Sequence, residues 1–99
     1  MRLSYSLGSL LTINQILECS KKLNKFKPDT LWIPETWGME NFSMLSLACM
    51  ENKFSKIGSS IINIYSRSPS LIAMGAATVD TISNKRLVLG LGTSTKPLI

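Results

Sequence analysis

The chain has 99 residues and a mass of 10.9 kDa, room for one domain, which excludes a multidomain enzyme within this length. With 44% apolar and 17% charged residues it is too apolar for a disordered segment, and six Gly and four Pro are too few for a fibrous or linker protein. Eleven Lys and Arg against six Asp and Glu leave a net charge of +5, a moderate positive field able to attract an anionic cofactor, nucleic acid or lipid.

The hydrophobic period alternates between strand and helix along the chain, the pattern of βαβ units on a parallel sheet. Leu3, Tyr5 and Leu7 alternate with Ser4 and Ser6 in a first strand that Gly8 ends. Thr12 opens a first helix, its hydroxyl capping free amides while Gln15 reaches back in a capping box. Ile13, Ile16, Leu17 and Leu23 form the buried stripe of that helix. Lys21, Lys22, Lys25 and Lys27 complement the dipole at its end as a solvated face, and Pro28 and Asp29 stop it.

A second strand, Leu31, Trp32 and Ile33 within 30–34, runs directly into Glu35, Thr36 and Trp37. The second helix follows from about Glu40 and buries Met44, Leu45, Leu47 and Ala48. A third strand runs from near Ile57 to Ile62 and leaves the sheet through Asn63, Ile64, Tyr65 and Ser66. Ser68 as cap and Pro69 at the first helical position start the third helix, whose Ala73, Gly75, Ala76 and Ala77 let it lie close on a sheet. Asn84 ends it in the left-handed conformation, after which Leu87, Val88 and Leu89 form a fourth strand closing in Gly90-Leu91-Gly92.

Strand starts at Leu3, Leu31, Ile57 and Leu87 are 28, 26 and 30 residues apart. That is close to the roughly 31 residues per unit of an eight-unit barrel of about 250 residues. The expected fold is α/β: the amino-terminal half of a (β/α)8 TIM barrel, four parallel strands alternating with three helices over residues 1–99. Such a half has two unpaired edges and an uncovered interior, so the chain is expected to be the first part of a longer protein.

The chain has no His, which excludes Ser/His/Asp and Cys/His constellations from its own residues. Cys19 and Cys49 lie in helices without CxxC spacing, so no metal site and no disulfide is expected, and a reducing, cytoplasmic setting fits. The first nine residues lack the apolar run of a secretory signal, and no stretch approaches the roughly 20 apolar residues of a membrane span. In a parallel α/β arrangement the ligand lies beyond the carboxyl ends of the strands, which selects 8–10, 35–38, 60–67 and 90–95.

Each of these places has a structural and a functional reading. Gly90-Leu91-Gly92 lacks the third Gly of a dinucleotide fingerprint, where Thr95 stands; it is a tight strand exit or a backbone surface for a flat ring. Glu35 is a proton donor or acceptor at the mouth, or simply a carboxylate before a helix. Trp37 walls an aromatic ligand or packs in its loop, and Arg67 holds an anion or a carboxylate or is solvated.

Several ordered segments together resemble a family. They are Trp32-Ile33-Pro34-Glu35, the run from Ile57 to Pro69 with its Tyr65-Ser66-Arg67-Ser68-Pro69 exit, Ala76 to Arg86, and Leu89-Gly90-Leu91-Gly92-Thr93-Ser94. They look like successive motifs of the bacterial-luciferase-like oxidoreductases, across nearly the whole chain. They are most similar to the branch using the deazaflavin coenzyme F-420, which includes methylenetetrahydromethanopterin reductase.

The resemblance implies a TIM barrel whose deazaflavin, or alternatively FMN, lies across the strand ends and exchanges hydride with an organic substrate. It places a non-proline cis peptide at a bulge of the third strand, between Ser60 and Ile61, backing the ring. Ser60, Ile61, Asn63 and Ile64 would line that bulge, with Gly92 and Thr93 facing the ring's edge. Glu35 would be the catalytic acidic residue near the ring, and Thr36 and Trp37 would border the substrate, Thr36 standing where several relatives have His. The expected partner is a small-molecule substrate, with no nucleic acid and no membrane; a homodimer of the full-length protein is left open. The rival readings are an FMN monooxygenase, and an inactive truncated protein or a subunit of a split barrel.

Overall fold

The computed structural model describes residues 4–7, 11–35, 40–65 and 67–92. In chain order its elements are β1 (Ser4–Ser6), α1 (Ile13–Lys22) with a 3-10 turn over Leu23–Lys25, β2 (Thr30–Ile33), α2 (Asn41–Glu51), β3 (Lys56–Ser59), β4 (Ile62–Asn63), α3 (Pro69–Ile82), β5 (Leu87–Val88) and β6 (Leu91–Gly92). Four of the strands form a parallel sheet in the order β1-β2-β3-β5, and β4 pairs with β6 in a separate parallel pair. The expectations on Leu3, Gly8, Thr36, Trp37, Ser66 and Thr93 fall outside the described residues.

The helix starts follow from local chemistry. Thr12 Oγ1 accepts the Gln15 N–H at 3.2 Å while Gln15 Oε1 accepts the Thr12 N–H at 2.9 Å, a complete capping box. Ser68 Oγ accepts the Leu71 N–H at 3.1 Å with Pro69 at the first helical position. Glu40 caps α2 through its own carboxylate, which accepts the N–H groups of Phe42 and Ser43. Past the end of α3, Asn84 takes φ 58° and Lys85 φ 64°, the left-handed turn that lets the chain reverse into β5.

Leu31, Ile33 and Ile57 of the two central strands are fully buried against Ile16, Leu45 and Ala48 of α1 and α2. Each large side chain among them contributes about 1.5–3 kcal/mol on burial. On the opposite face the register sets Trp32 beside Gly58, where a Cβ would stand 2.5 Å from the indole ring. The bulky residue of one strand thus requires the bare backbone of the next.

Several details differ from the sequence reading. Ile13 and Leu47 are 43% and 44% exposed, so the stripes of α1 and α2 are narrower than the period suggests, and Ser20 takes a buried place on α1 by donating its hydroxyl to Ile16 O at 2.8 Å. Tyr5 is 43% exposed because β1 is an edge strand with a neighbour on one side only. Gly75 admits Phe42 of α2, whose ring lies 2.6 Å from where a Cβ would be, so the small residue serves helix-to-helix rather than helix-to-sheet contact. The continuous third strand that the hydrophobic period suggests is two strands, whereas the bulge and non-proline cis peptide implied by the family resemblance are present: the strand breaks after Ser59, the Ser60–Ile61 peptide is cis, and Ile62 and Asn63 pair with Leu91 and Gly92 instead of continuing the main sheet. The expected fourth strand is likewise divided, with Leu89 and Gly90 between β5 and β6.

Candidate functional site

Because the strands are parallel, the exits of β2, β3 and β5 lie at one pole, and hydrogen bonds bind them together. The carbonyl of Ile33 accepts the Ser60 N–H at 3.0 Å and the Asn41 side-chain amide at 2.9 Å, joining the end of β2 to the β3 bulge and the start of α2. Asn41 is fully buried, and its Oδ1 has no hydrogen-bond partner among the described residues.

Glu35, two residues past β2, faces Arg67, which precedes α3. Arg67 Nη1 donates to Oε1 at 3.0 Å, Nη2 closes the second arm on Oε2, and Nη2 also donates to Glu40 Oε2 at 2.7 Å. The Asn41 N–H donates to Glu35 Oε2 at 3.1 Å, and the Asn63 N–H reaches the same carboxylate. The guanidinium also lies over the Phe42 ring, 5.2 Å from its centroid. With side chains 9% and 16% exposed and two-armed geometry, Arg67 and Glu35 form an interior pair rather than a solvated surface contact.

Burial pushes the Glu35 carboxyl up, but the Arg67 hydrogen bonds and the Asn41 and Asn63 N–H groups outweigh it and hold it below the ordinary carboxylate range. Glu35 is therefore ionised at neutral pH with no proton to donate, and the same lowering makes it a weak proton acceptor. It also meets the start of α2, so the structural reading of a carboxylate before a helix holds as well. Of the readings open to Arg67, holding a carboxylate is the one observed.

Glu40 is raised by burial but lowered further by Ser43, Arg67 and the helix N–H groups, to about 2 from the ordinary 4.5. A depressed folded value stabilises the fold above the unfolded value, and that contribution disappears as pH falls through the folded one. The Glu40 contribution to thermal stability should therefore be constant above pH 4.5 and decline between about 4.5 and about 2. Arg67→Leu should shallow this acid decline in a plot of melting temperature against pH; an unchanged slope would detach the carboxylates from Arg67.

The β4–β6 pair sits beyond the main sheet. Ile62 N donates to Gly90 O at 2.9 Å and Ile64 N to Gly92 O at 3.0 Å, while Ser59 Oγ donates to Gly90 O at 2.8 Å and accepts from Gly90 N at 2.7 Å. None of the described glycines has positive φ, so space rather than conformation calls for Gly90 and Gly92. A Cβ on Gly90 would run into the Ser59 carbonyl oxygen, and one on Gly92 into Ile61 Cδ1. The Ile61 side chain thus covers Gly92 and is itself 44% exposed, so the bare backbone is faced by Ile61 on that side. Asn63 Oδ1 accepts the Tyr65 N–H at 2.8 Å and shapes the exit of the bulge.

Glu35, Ser60, Ile61, Asn63, Ile64 and Gly92 are therefore gathered at one end of the sheet, whereas Thr36, Trp37 and Thr93 lie outside the described residues. Ser59, Glu40 and Asn41 belong to the same cluster and were not singled out as site residues from the sequence. Glu40 reads there only as a favourable charge near a helix start, and a Ser or Asn beside a strand is too common to stand out. Among the described residues no group of three His, Cys, Asp or Glu could hold a metal, Cys19 and Cys49 are unbridged, and no helix is long and apolar enough to cross a membrane.

Parallel strands wound by helices, with polar residues gathered beyond the strand ends, define a segment of an enzyme-type α/β barrel. The chain belongs to the luciferase-like monooxygenase family, whose model matches residues 2–99. It is 35% identical over 66 residues to a protein of Mycobacterium tuberculosis assigned as a coenzyme F-420-dependent oxidoreductase, covering 67% of this chain and 19% of that protein. It is 35% identical over 69 residues to 5,10-methylenetetrahydromethanopterin reductase of Archaeoglobus fulgidus, covering 69% and 21%. The chain thus spans about a fifth of the length of these relatives.

Two solved structures carry the same fold. The coenzyme F-420-dependent tetrahydromethanopterin reductase of Methanopyrus kandleri superposes with a TM-score of 0.83 at 26% identity, covering 97% of this chain and 28% of that one. The oxygenating constituent of 3,6-diketocamphane monooxygenase of Pseudomonas putida, in complex with FMN, superposes with a TM-score of 0.86 at 14% identity, covering 99% and 31%.

Proposed function

We propose that this chain is the amino-terminal half of the barrel of a coenzyme F-420-dependent oxidoreductase that passes hydride between the deazaflavin and an organic substrate. The observation that carries the reading is the β4–β6 pair, which sets the half-exposed Ile61 across Gly92 at the strand ends as an apolar seat for a planar ring. Sequence identity of 35% to two relatives named for F-420 or methanopterin chemistry favours the deazaflavin. The monooxygenase likeness, at 14%, supports FMN through the fold alone.

The residues present fit the ring and not its phosphate-bearing tail. Ile61, lying across Gly92 and half-exposed, offers an apolar face, whereas Arg67, a basic side chain at this end, is already bound to Glu35 and Glu40. The deazaflavin, when bound, supplies the hydride-accepting and hydride-donating carbon. Ile61 would back its ring and exclude water from that face. Glu35, ionised and held by Arg67, orders the mouth, and its bond to the Asn63 N–H holds the bulge in position.

The test is a fluorescence titration of the full-length protein with F-420 and, separately, with FMN. Tight F-420 binding is expected, and Ile61→Asp should weaken it at least about tenfold, because the substitution removes the apolar seat and sets a charge against the ring. FMN binding followed by oxygen consumption of the reduced enzyme would favour the monooxygenase instead. The 99-residue chain alone should bind neither measurably, because its described residues fit the ring and leave the phosphate-bearing tail unheld.

A further inference from the structure

The pole opposite the candidate site has a pattern of its own. Each of the three turns leading from a helix into a strand contains Asn followed by Lys: Asn24-Lys25, Asn52-Lys53 and Asn84-Lys85. Two of them continue to Phe, as Asn24-Lys25-Phe26-Lys27 and Asn52-Lys53-Phe54-Ser55-Lys56. Parallel strands bring these turns side by side.

The turns are fastened into one platform. Asn24 donates to Glu51 O at 2.8 Å and accepts the Lys53 N–H at 2.9 Å, Asn52 donates to Ser20 O at 3.0 Å, and Ser55 Oγ donates to Pro28 O at 2.6 Å. Arg86 Nη1 adds bonds to Asn52 O and Ser55 O at 2.7 and 2.8 Å. With the Asn24 and Asn52 side chains bonded into the neighbouring turns, the three turns leave Lys25, Lys27, Lys53, Lys56 and Lys85 exposed, beside the exposed Lys21 and Lys22 at the end of α1. Phe26 is 73% exposed and Phe54 57%, and Lys27 Nζ lies 4.7 Å from the Phe54 ring centroid. The acidic residues of these turns, Asp29 and Glu51, are outnumbered, and Asp29 Oδ2 accepts the Thr30 hydroxyl at 3.0 Å.

Solvation explains exposed lysines. It does not explain two phenylalanines left in water on a rigid basic surface, an arrangement suited to the boundary between charged headgroups and acyl chains. We propose that this pole docks on an anionic lipid surface, its lysines against headgroup phosphates and Phe26 and Phe54 entering the headgroup layer. Charge complementarity names the occupant, and two features favour lipid over nucleic acid. The exposed cations are lysines, point charges without the planar fork that reads bases and phosphates in fixed geometry. Lys27 already covers one face of Phe54, which obstructs the stacking a base would need. The inference revises the expectation of no membrane partner and stands independently of the coenzyme reading, since docking here leaves the strand exits facing away from the bilayer.

The test is cosedimentation of the purified protein with vesicles of phosphatidylcholine alone and of phosphatidylcholine mixed with phosphatidylglycerol. Binding is expected only to the mixed vesicles and should fall as salt is raised. Each lysine near an anionic surface is worth about a factor of five, so Lys25→Glu with Lys53→Glu should weaken binding at least about 25-fold. Phe26→Ser with Phe54→Ser, which leaves the charge unchanged, should weaken it about tenfold or more. Two results would overturn the proposal: no binding to mixed vesicles, or binding that the phenylalanine variant retains in full and that single-stranded RNA competes away, which would make nucleic acid the partner.

Discussion

Arg86→Leu should lower the unfolding free energy by about 3–5 kcal/mol, the range for leaving a buried polar network without its charged donor. The guanidinium donates Nε to Ser83 O at 2.7 Å, Nη1 to Asn52 O and Ser55 O at 2.7 and 2.8 Å, and Nη2 to Cys49 O at 2.8 Å. These carbonyls include ones at the carboxyl ends of α2 and α3, where the last-turn carbonyls have no donor partners within their own helices. Asn52 and Ser55 are buried, so water cannot fully replace the lost donor. Urea unfolding of wild type and variant measures the difference. Arg86→Lys should recover only part of the loss, because one ammonium cannot span the carbonyls that the planar fork reaches; full recovery by lysine would show that charge alone matters.

The second large effect is expected at Gly90. A Cβ there meets the Ser59 carbonyl oxygen, which belongs to a central strand and cannot withdraw, so Gly90→Ala should cost about 1–3 kcal/mol from overpacking. The reciprocal bonds between Ser59 Oγ and the Gly90 backbone would be strained at the same time. At Gly92 the obstacle is the end of the Ile61 side chain, which can rotate aside. Gly92→Ala should therefore cost less stability while displacing Ile61 from its seat. Thermal melts of the two variants, with a coenzyme titration of the full-length protein, separate the cases: Gly90→Ala should act mainly on melting temperature and Gly92→Ala mainly on affinity. Equal melting temperatures would refute the distinction between a fixed carbonyl and a movable methyl.

Helix starts and stops could be read without the fold because they are decided within a few residues. Thr12 with Gln15, Ser68 with Pro69, and Asn84 all act over distances the sequence itself displays. Burial was less legible. Ile13 and Leu47 have the right period, yet whether a residue at the margin of a helix stripe is covered depends on the neighbouring elements. Periodicity does not show the break in the third strand, since a pleat and a bulge place equally apolar residues such as Ile61 and Ile62 in succession; the family resemblance alone placed a bulge at the Ser60–Ile61 peptide, where the structure has it.

At the candidate site the sequence points to Glu35 and Arg67 separately, with Glu35 open to donor, acceptor and structural roles. Their pairing across 32 residues, which keeps Glu35 ionised, arises only when β2 and α3 are brought to the same pole. The lysines show the same division. Lys21, Lys22, Lys25 and Lys27 read as one solvated helix end, and only parallel packing adds Lys53, Lys56 and Lys85 and sets Phe26 and Phe54 among them. The sequence by itself determined the succession of strands and helices, their caps and the family, because those depend on short-range hydrogen bonds and on the order of motifs. The tertiary structure alone decided which charges meet, which glycines give room to a neighbour and which apolar side chains stay in water, because each depends on residues remote in the chain becoming adjacent in space.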